Sequence, residues 1–206
     1  MEKFTELRGV AAPLMRTNID TGTIIASAWL RSRSFDLGEK LFANWRYQID
    51  GTEKPDFVLN QKRYRRSRIL LAGPLFGCGS SREAAVWALV RFGIRCVIAP
   101  SFGEIFFDNA FQNGLLPVTL PEATVQALAD SVQAAADPAL TVDLVRCVVV
   151  TPDGGEIPFA VSAERRTALL DGLDETSLVL RYEAEIDAFR AADAAERPWI
   201  YTRKAV

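Results

Sequence analysis

The sequence predicts an α/β fold, and residues 69–99 carry the observations that predict it. Two unbroken apolar runs, Ile69–Ala72 and Cys96–Ala99, are typical of strands that are buried on both faces. Between them, residues 80–92 place apolar side chains at helical spacing, and Gly93 follows where a helix would end. A strand, a helix and a second strand in this order predict a parallel pair with a right-handed crossover.

The segment before this unit, residues 1–66, is predicted to be irregular and rich in loops. It contains a short strand-like run at 23–25 and a possible helical turn at 27–30. Gly51 and Pro55 interrupt any regular element over residues 51–56, which have the composition of a turn.

The segment after the unit continues the alternation of helices and strands. A helix over 104–113 is predicted to end at Gly114, before the apolar run 115–120, and Pro121 suits the first turn of a helix that reaches residue 136. Residues 142–151 and 156–161 flank the turn 152–155 and predict a hairpin. Helices over 162–170 and 183–195 complete a chain that we expect to form one domain over residues 1–206.

Composition excludes several classes of protein. Of the 206 residues, 49% are hydrophobic, but no apolar stretch approaches the roughly 20 residues that a membrane span requires. The first residues lack the apolar core of a secretion signal, so we expect a cytoplasmic protein. The net charge is −2, and the one arginine cluster, at 63–68, is short, so we expect neither nucleic acid nor a membrane as a partner.

The sequence contains no histidine, which restricts the available chemistry. Histidine triads, histidine general bases and histidine-containing zinc sites are all excluded. The three cysteines, Cys78, Cys96 and Cys147, match neither a disulfide framework nor a Cys-x-x-Cys metal site, and we expect no metal on this chain. Cys96 and Cys147 are predicted to be small core residues within strands. The aromatic side chains of the 102–111 segment are likewise predicted to lie in the core.

The loop between the first buried strand and the following helix has the composition of an anion-binding site. Gly77 and Gly79 let backbone N–H groups approach a ligand, and the start of a helix adds partial positive charge. Arg82 can bind a carboxylate through two parallel hydrogen bonds. An alternative interpretation is structural, because Ser80 and Glu83 have the spacing of a capping box. The loop lacks the lysine of a Walker motif, the third glycine of a dinucleotide fingerprint and the Gly-x-Ser-x-Gly of a nucleophile elbow.

This loop resembles the signature of a known family. The run 76–83, Phe-Gly-Cys-Gly-Ser-Ser-Arg-Glu, followed by Trp87-Ala88-Leu89, is similar to that of 3-isopropylmalate dehydratase small subunits, the separate swivelling domain of the aconitase superfamily. Further similar stretches are 44–46, 55–60, 97–102, 105–106 and 113–117, so that the resemblance covers roughly residues 7–200. It implies a single compact swivel-type α/β domain, with a mixed or barrel-like sheet bordered by helices.

The resemblance also implies an activity and a partner. It implies an isomerising hydro-lyase of leucine biosynthesis that interconverts 2-isopropylmalate and 3-isopropylmalate, small dicarboxylates, through dehydration and rehydration. The family works only with a large subunit, whose [4Fe-4S] cluster acts as a Lewis acid on the hydroxyl, so no cofactor is expected on this chain. The partner would meet an exposed apolar or mixed patch near Ser80.

Roles for individual residues follow from the same resemblance. Ser80 matches the base that removes the carbon-bound proton. The substrate-binding set is expected to be Ser81, Arg82, Gly79, Arg31 and Arg33, and the supporting set to be Gly77, Cys78, Asp20 and Thr21. For Arg31 and Arg33 the alternative is that both are solvated surface arginines.

The chain departs from the family pattern at four positions. Gly22 replaces an aspartate that is an active-site position in the superfamily, Ala26-Ser27 replace Pro-Lys, and Ala84 replaces histidine. Two alternatives therefore stand beside the isopropylmalate enzyme. One is a paralogous hydro-lyase subunit for a different substituted malate, of the dimethylmalate, citramalate or homoaconitate type. The other is a non-catalytic paralogue that binds a partner; the intact run 79–83 argues against it.

Overall fold

A seven-stranded mixed sheet organises the computed structural model, which describes residues 1–30 and 36–201. Its strands stand in the order β4-β3-β2-β1-β5-β6-β7. Their bounds are β1 (Glu6–Leu14), β2 (Ile69–Ala72), β3 (Cys96–Ala99), β4 (Leu116–Thr119), β5 (Ala139–Asp143), β6 (Val148–Val150) and β7 (Glu156–Pro158). Strands β1 to β4 pair in parallel, whereas β5, β6 and β7 join the other side of β1 in antiparallel pairs.

Strand β1 is mixed in its pairing. Its C-terminal half pairs with β2, from Ala11 opposite Ile69 to Leu14 opposite Ala72. Its N-terminal half pairs with β5, from Glu6 opposite Asp143 onward. The parallel and antiparallel parts of the sheet therefore meet along this one strand.

Helices follow or separate the strands. Their bounds are α1 (Thr21–Ile24), α2 (Ser27–Leu30), α3 (Ala43–Arg46), α4 (Glu83–Phe92), α5 (Glu104–Gln112), α6 (Glu122–Ala134), α7 (Ala163–Asp171), α8 (Glu175–Leu180), α9 (Glu183–Glu196) and α10 (Pro198–Tyr201). The chain forms two compact units, Met1–Gly172, which contains the whole sheet, and Leu173–Val206. The prediction of one domain over residues 1–206 stays a prediction.

The core lies around the parallel strands. Every residue of β2 and β3 is fully buried, which explains why both appear as unbroken apolar runs. Of the aromatic residues in the 102–111 segment, which are predicted to lie in the core, Phe106 and Phe111 are buried, and Phe102 and Phe107 are half-buried and pack against it. Phe106 packs edge-on against Phe76, with ring centroids 5.2 Å apart, and stacks on Phe102 at 6.3 Å.

The predicted α/β class, the β-α-β unit and the turn at 152–155 are confirmed, but four expectations are wrong. Residues 6–14 form β1 rather than a loop. Gly9 interrupts the pattern of a strand in the sequence, and glycine is required there because a Cβ would lie 2.7 Å from the Cβ of Arg68. The strand-like run at 23–25 belongs mostly to α1, which Asp20 caps by accepting from the backbone N–H of Thr23 at 2.6 Å. The run 142–151 is divided by a turn at 144–147, so β5 and β6 are separate strands. Cys147 lies in that turn with φ 54°, rather than in a strand.

Candidate active site

The candidate site is the loop that joins β2 to α4, at the edge where the parallel strands end. Ligands of open α/β sheets bind at this edge, outside the carboxyl ends of the strands. Gly77 (φ 74°) and Gly79 (φ 87°) turn the loop in left-handed conformations. Gly77 has no room for a side chain, because a Cβ there would lie 2.2 Å from Cγ of Phe106. The loop path therefore depends on glycine at this position.

A second segment, residues 19–21, holds the loop backbone in place. The N–H of Gly77 donates to the carbonyl of Ile19 at 2.7 Å, and the N–H of Thr21 donates to the carbonyl of Cys78 at 3.0 Å. The hydroxyl of Thr21, which is buried, donates to the carbonyl of Ser80 at 2.7 Å. These bonds bring the predicted supporting residues against the loop and fix the backbone on either side of Gly79.

The side chains of Ser80 and Ser81 are exposed, directly before the first turn of α4. A serine whose backbone is hydrogen-bonded but whose hydroxyl faces solvent can be reached by a ligand. Helix α4 is ten residues long and begins at Glu83, so its positive end is directed at this part of the loop. The arrangement suits an anion or a developing alkoxide.

The capping box expected from Ser80 and Glu83 does not form. The N-cap residue of α4 is Arg82, in extended conformation and without a side-chain cap hydrogen bond, so the helix starts three residues later than predicted. Glu83 instead accepts from the side-chain amide of Asn113 at 2.9 Å, and the same amide group accepts from the indole N–H of Trp87 at 2.9 Å. Ser80 is thereby left outside the helix.

Arg82 lies over the first helix of the chain. Its Nη1 donates to the carbonyl of Ile25 at 3.3 Å, and the residue is half-buried. A Cβ built on Gly22 would lie 3.1 Å from the same Nη1. One departure from the family pattern, Gly22, therefore lies close to the guanidinium of Arg82. Ala26 follows the residue whose carbonyl Arg82 binds, and Ala84 is two residues from Arg82 along the chain.

The remaining predicted site residues are placed less closely or lie elsewhere. Gly79 approaches Asp20, since a Cβ on Gly79 would lie 3.4 Å from the Cβ of Asp20. Cys78 is a half-buried free thiol within the loop. Arg31 and Arg33 lie outside the described residues.

Burial determines the chemistry of Cys96. This thiol is completely buried in β3, and the loss of water raises its pKa far above the ordinary value.

Among residues 1–30 and 36–201, no group of three or more His, Cys, Asp or Glu side chains could hold a metal ion. In the same residues, no helix has the length and apolar character needed to cross a bilayer.

Sequence reasoning missed contacts that rest on distant backbone groups. The carbonyls of Ile19 and Ile25 bind Gly77 and Arg82, but a carbonyl leaves no signature in the sequence. Asn113 was a detectable candidate, because a polar side chain beside Gly114 at the end of α5 is available for a structural hydrogen bond.

The fold and this loop together define the aconitase C-terminal domain class. Residues 1–123 match the family model described as the aconitase C-terminal domain, and residues 126–163 match the one described as LeuD_N. The chain belongs to the family of 3-isopropylmalate dehydratase small subunits. It is 51% identical to the subunit of that name from Dinoroseobacter shibae over 201 residues, which are 97% of this chain and 100% of that protein. It is 55% identical to the one from Cupriavidus necator over 205 residues, which are 98% of this chain and 99% of that protein.

A solved structure supports the fold. The 3-isopropylmalate dehydratase chain (leuD) of Methanocaldococcus jannaschii superposes with a TM-score of 0.62 at 27% identity, covering 89% of this chain and 99% of that one. The predicted family, the α/β class and the mixed sheet bordered by helices are confirmed.

Proposed function

We propose that this chain is the small subunit of a hydro-lyase that interconverts 2-isopropylmalate and 3-isopropylmalate by dehydration and rehydration in the cytoplasm. Relatives that are named as small subunits of 3-isopropylmalate dehydratase match this chain over almost their whole length. The observation that carries the proposal is the loop 77–82, whose backbone is bonded to residues 19–21 while Ser80 and Ser81 stay exposed. Rigid backbone with reachable hydroxyls is what positioned proton transfer requires.

In this proposal Ser80 removes the proton from the carbon next to the one that bears the hydroxyl. A neutral serine is a poor base, so its alkoxide form has to be stabilised by nearby donors and positive charge. The positive end of α4 and the guanidinium of Arg82 supply charge of the required sign. Ser80 returns its proton when water adds back to the double bond.

Ser81 and Arg82 bind and orient the substrate in the same proposal. Arg82 presents a planar fork that matches a carboxylate, and Ser81 donates a hydrogen bond. The iron–sulfur cluster expected on the large subunit supplies the Lewis acid that the departing hydroxyl needs.

The surface around the loop fits a partner subunit. Leu75, in the same loop, is 47% exposed, and Ile105, two residues beyond Gly103, is 49% exposed. Gly103 adjoins the loop, since a Cβ on it would lie 2.4 Å from the carbonyl of Gly77. An apolar patch beside the reacting loop would let the large subunit close over the substrate and exclude water.

A second candidate keeps the reaction and changes the substrate to a different substituted malate. The departures from the family pattern favour it, because Gly22 approaches the guanidinium of Arg82 and Ala26 follows the residue whose carbonyl that group binds. The two candidates differ in the group that is recognised and share the proton transfer.

Anaerobic co-expression with the large subunit, followed by an ultraviolet assay for the unsaturated intermediate, tests both candidates. We expect turnover of isopropylmalate to exceed that of dimethylmalate, citramalate and homocitrate. A preference for one of the other acids would favour the second candidate. A stable, cluster-loaded complex that turns over none of the four would contradict both and favour a non-catalytic paralogue.

A further inference from the structure

The side chains of Asn113, Glu83 and Trp87 form a hydrogen-bonded cluster beside the first turn of α4. Nδ2 of Asn113 donates to Oε1 of Glu83 and to the carbonyl of Asn109, both at 2.9 Å. Oδ1 of Asn113 accepts from the indole N–H of Trp87 at 2.9 Å. An indole N–H only donates and a carboxylate only accepts, so the two partners fix the orientation of the Asn113 amide. The end of α5 is thereby bonded to the first residue of α4.

Ser80 and Glu83 carry a competing arrangement in their own sequence. In a capping box, the Ser80 hydroxyl would accept from the backbone N–H of Glu83, and the Glu83 carboxylate would accept from the backbone N–H of Ser80. Helix α4 would then begin at Ser81, and the hydroxyl of Ser80 would be bonded to the helix instead of facing a substrate. Ser80 and Glu83 therefore have two alternatives, and only one of them leaves the hydroxyl free.

The structure shows the alternative in which the hydroxyl is free. Arg82 is the N-cap of α4, with an extended backbone (φ −140°, ψ 94°), and Ser80 is exposed. Among residues 1–30 and 36–201, no acceptor is bonded to the backbone N–H of Glu83. The Glu83 carboxylate, which would complete the box, is bonded to Asn113.

We infer that Asn113 is a positioning residue for the proton transfer, because its bond to the Glu83 carboxylate keeps the hydroxyl of Ser80 out of a capping box. Asn113 acts through Glu83 and the start of α4 and does not touch the substrate. When the bond is lost, the loop shifts toward the capped form, and the fraction of molecules with a free Ser80 hydroxyl falls. The inference rests on the proposed function, because it takes Ser80 to be the base.

Three variants of the reconstituted complex test this role at pH 8. Asn113→Asp keeps the shape of the side chain and the acceptor for Trp87, but it places a carboxylate against that of Glu83. Asn109→Asp is the matched control, since it adds the same charge one turn earlier on α5, at a residue that contacts Asn113 through its backbone carbonyl. In the double variant Asn113→Asp/Glu83→Gln, the new glutamine amide can donate to the new carboxylate, so that the bond re-forms with donor and acceptor exchanged.

We expect Asn113→Asp to lower kcat/KM for 3-isopropylmalate by about fivefold to thirtyfold, the factor by which a serine N-cap usually stabilises the start of a helix. Asn109→Asp should change kcat/KM by about twofold or less. The double variant should come within about twofold of Glu83→Gln alone. A general loss of packing at the end of α5 would not be restored by a substitution on α4.

Amide hydrogen exchange in the full-length chain, followed by nuclear magnetic resonance, reports the loop without turnover. In Asn113→Asp the backbone N–H of Glu83 becomes bonded to the Ser80 hydroxyl, so its exchange should slow by about the same fivefold to thirtyfold. A merely loosened helix end would exchange faster. Exchange in the double variant should return to the rate of Glu83→Gln alone.

Three results would overturn the inference: wild-type kcat/KM in Asn113→Asp, a double variant as defective as Asn113→Asp, or exchange of the Glu83 N–H that is unchanged or faster in Asn113→Asp. Failure of the proposed function is a separate result. If the wild-type complex turns over none of the acids but Asn113→Asp still protects the Glu83 N–H, the proposed reaction is wrong and the control of the loop by Asn113 stands.

Discussion

Gly77→Ala tests the claim that the reacting loop can be built only with glycine at this position. The new Cβ would lie 2.2 Å from Cγ and 2.6 Å from Cβ of Phe106, which is 2% exposed and cannot move without disturbing Phe76 and Phe102. Such overpacking costs about 1–3 kcal/mol. The left-handed backbone, with φ 74°, costs an alanine about 1–2 kcal/mol more.

Together these effects predict a loss of about 2–5 kcal/mol in the free energy of unfolding, or a fall in Tm of about 5–20 °C for a unit of this size. Urea and thermal unfolding of the isolated subunit measure both quantities. Gly51→Ala is the matched control, because Gly51 also has a left-handed φ (83°) but nothing lies within 4 Å of its missing Cβ. It should lose only the backbone contribution. Equal losses in the two variants would refute the claim that Phe106 excludes a side chain from the loop.

Two further predictions concern other contacts of the site and the core. Thr21→Val removes the hydroxyl that donates to the carbonyl of Ser80, and should lower the free energy of unfolding by about 1 kcal/mol and kcat of the complex by about tenfold or more, as measured by urea unfolding and steady-state kinetics. Thr23→Val is the control on the same short helix, because it keeps the backbone N–H that Asp20 binds. It should change the equilibrium constant of unfolding and kcat by no more than about twofold each. Equal effects of the two variants would count against the role of Thr21. Cys96, whose pKa is raised by burial, should resist iodoacetamide at pH 8 in the folded subunit and react in urea, as read by mass spectrometry; rapid labelling of the folded protein would show that β3 is accessible.

The parallel part of the sheet was predictable because its strands are buried on both faces. Burial on both faces removes polar residues from the strand, so Ile69–Ala72 and Cys96–Ala99 appear in the sequence as short apolar runs with clear ends. The helix between them keeps one apolar face, and Gly93 ends it with φ 111°.

Strand β1 was not predictable by the same reasoning. Its two halves pair with different neighbours, and its burial follows neither a regular alternation nor an unbroken run. Gly9 and Pro13 interrupt the pattern further, since both residues are uncommon within strands. In the structure Pro13 lies opposite Leu71 in the parallel pair, and the absence of a side chain at Gly9 leaves room for the side chain of Arg68. Tertiary pairing, which the local sequence does not encode, decides this element.

The candidate site divides in the same way. The glycines and the position of the loop between a buried strand and a helix indicated an anion site from the sequence alone. The supporting role of residues 19–21 was expected only from the family resemblance, because two of their three hydrogen bonds to the loop join backbone groups, which leave no pattern in the sequence. The capping-box prediction failed because Asn113, distant in sequence, binds Glu83 and the helix begins after Ser80.

The most direct test of the account is Ser80→Ala in the complex with the large subunit. Loss of the base should lower kcat by about 10²–10⁴-fold, and should equally slow exchange of the carbon-bound proton of 3-isopropylmalate with solvent deuterium. Ser81→Ala is the adjacent control and should act more on KM than on exchange. Exchange and turnover at the wild-type rate in a Ser80→Ala complex would contradict the account, because another group would then remove the proton.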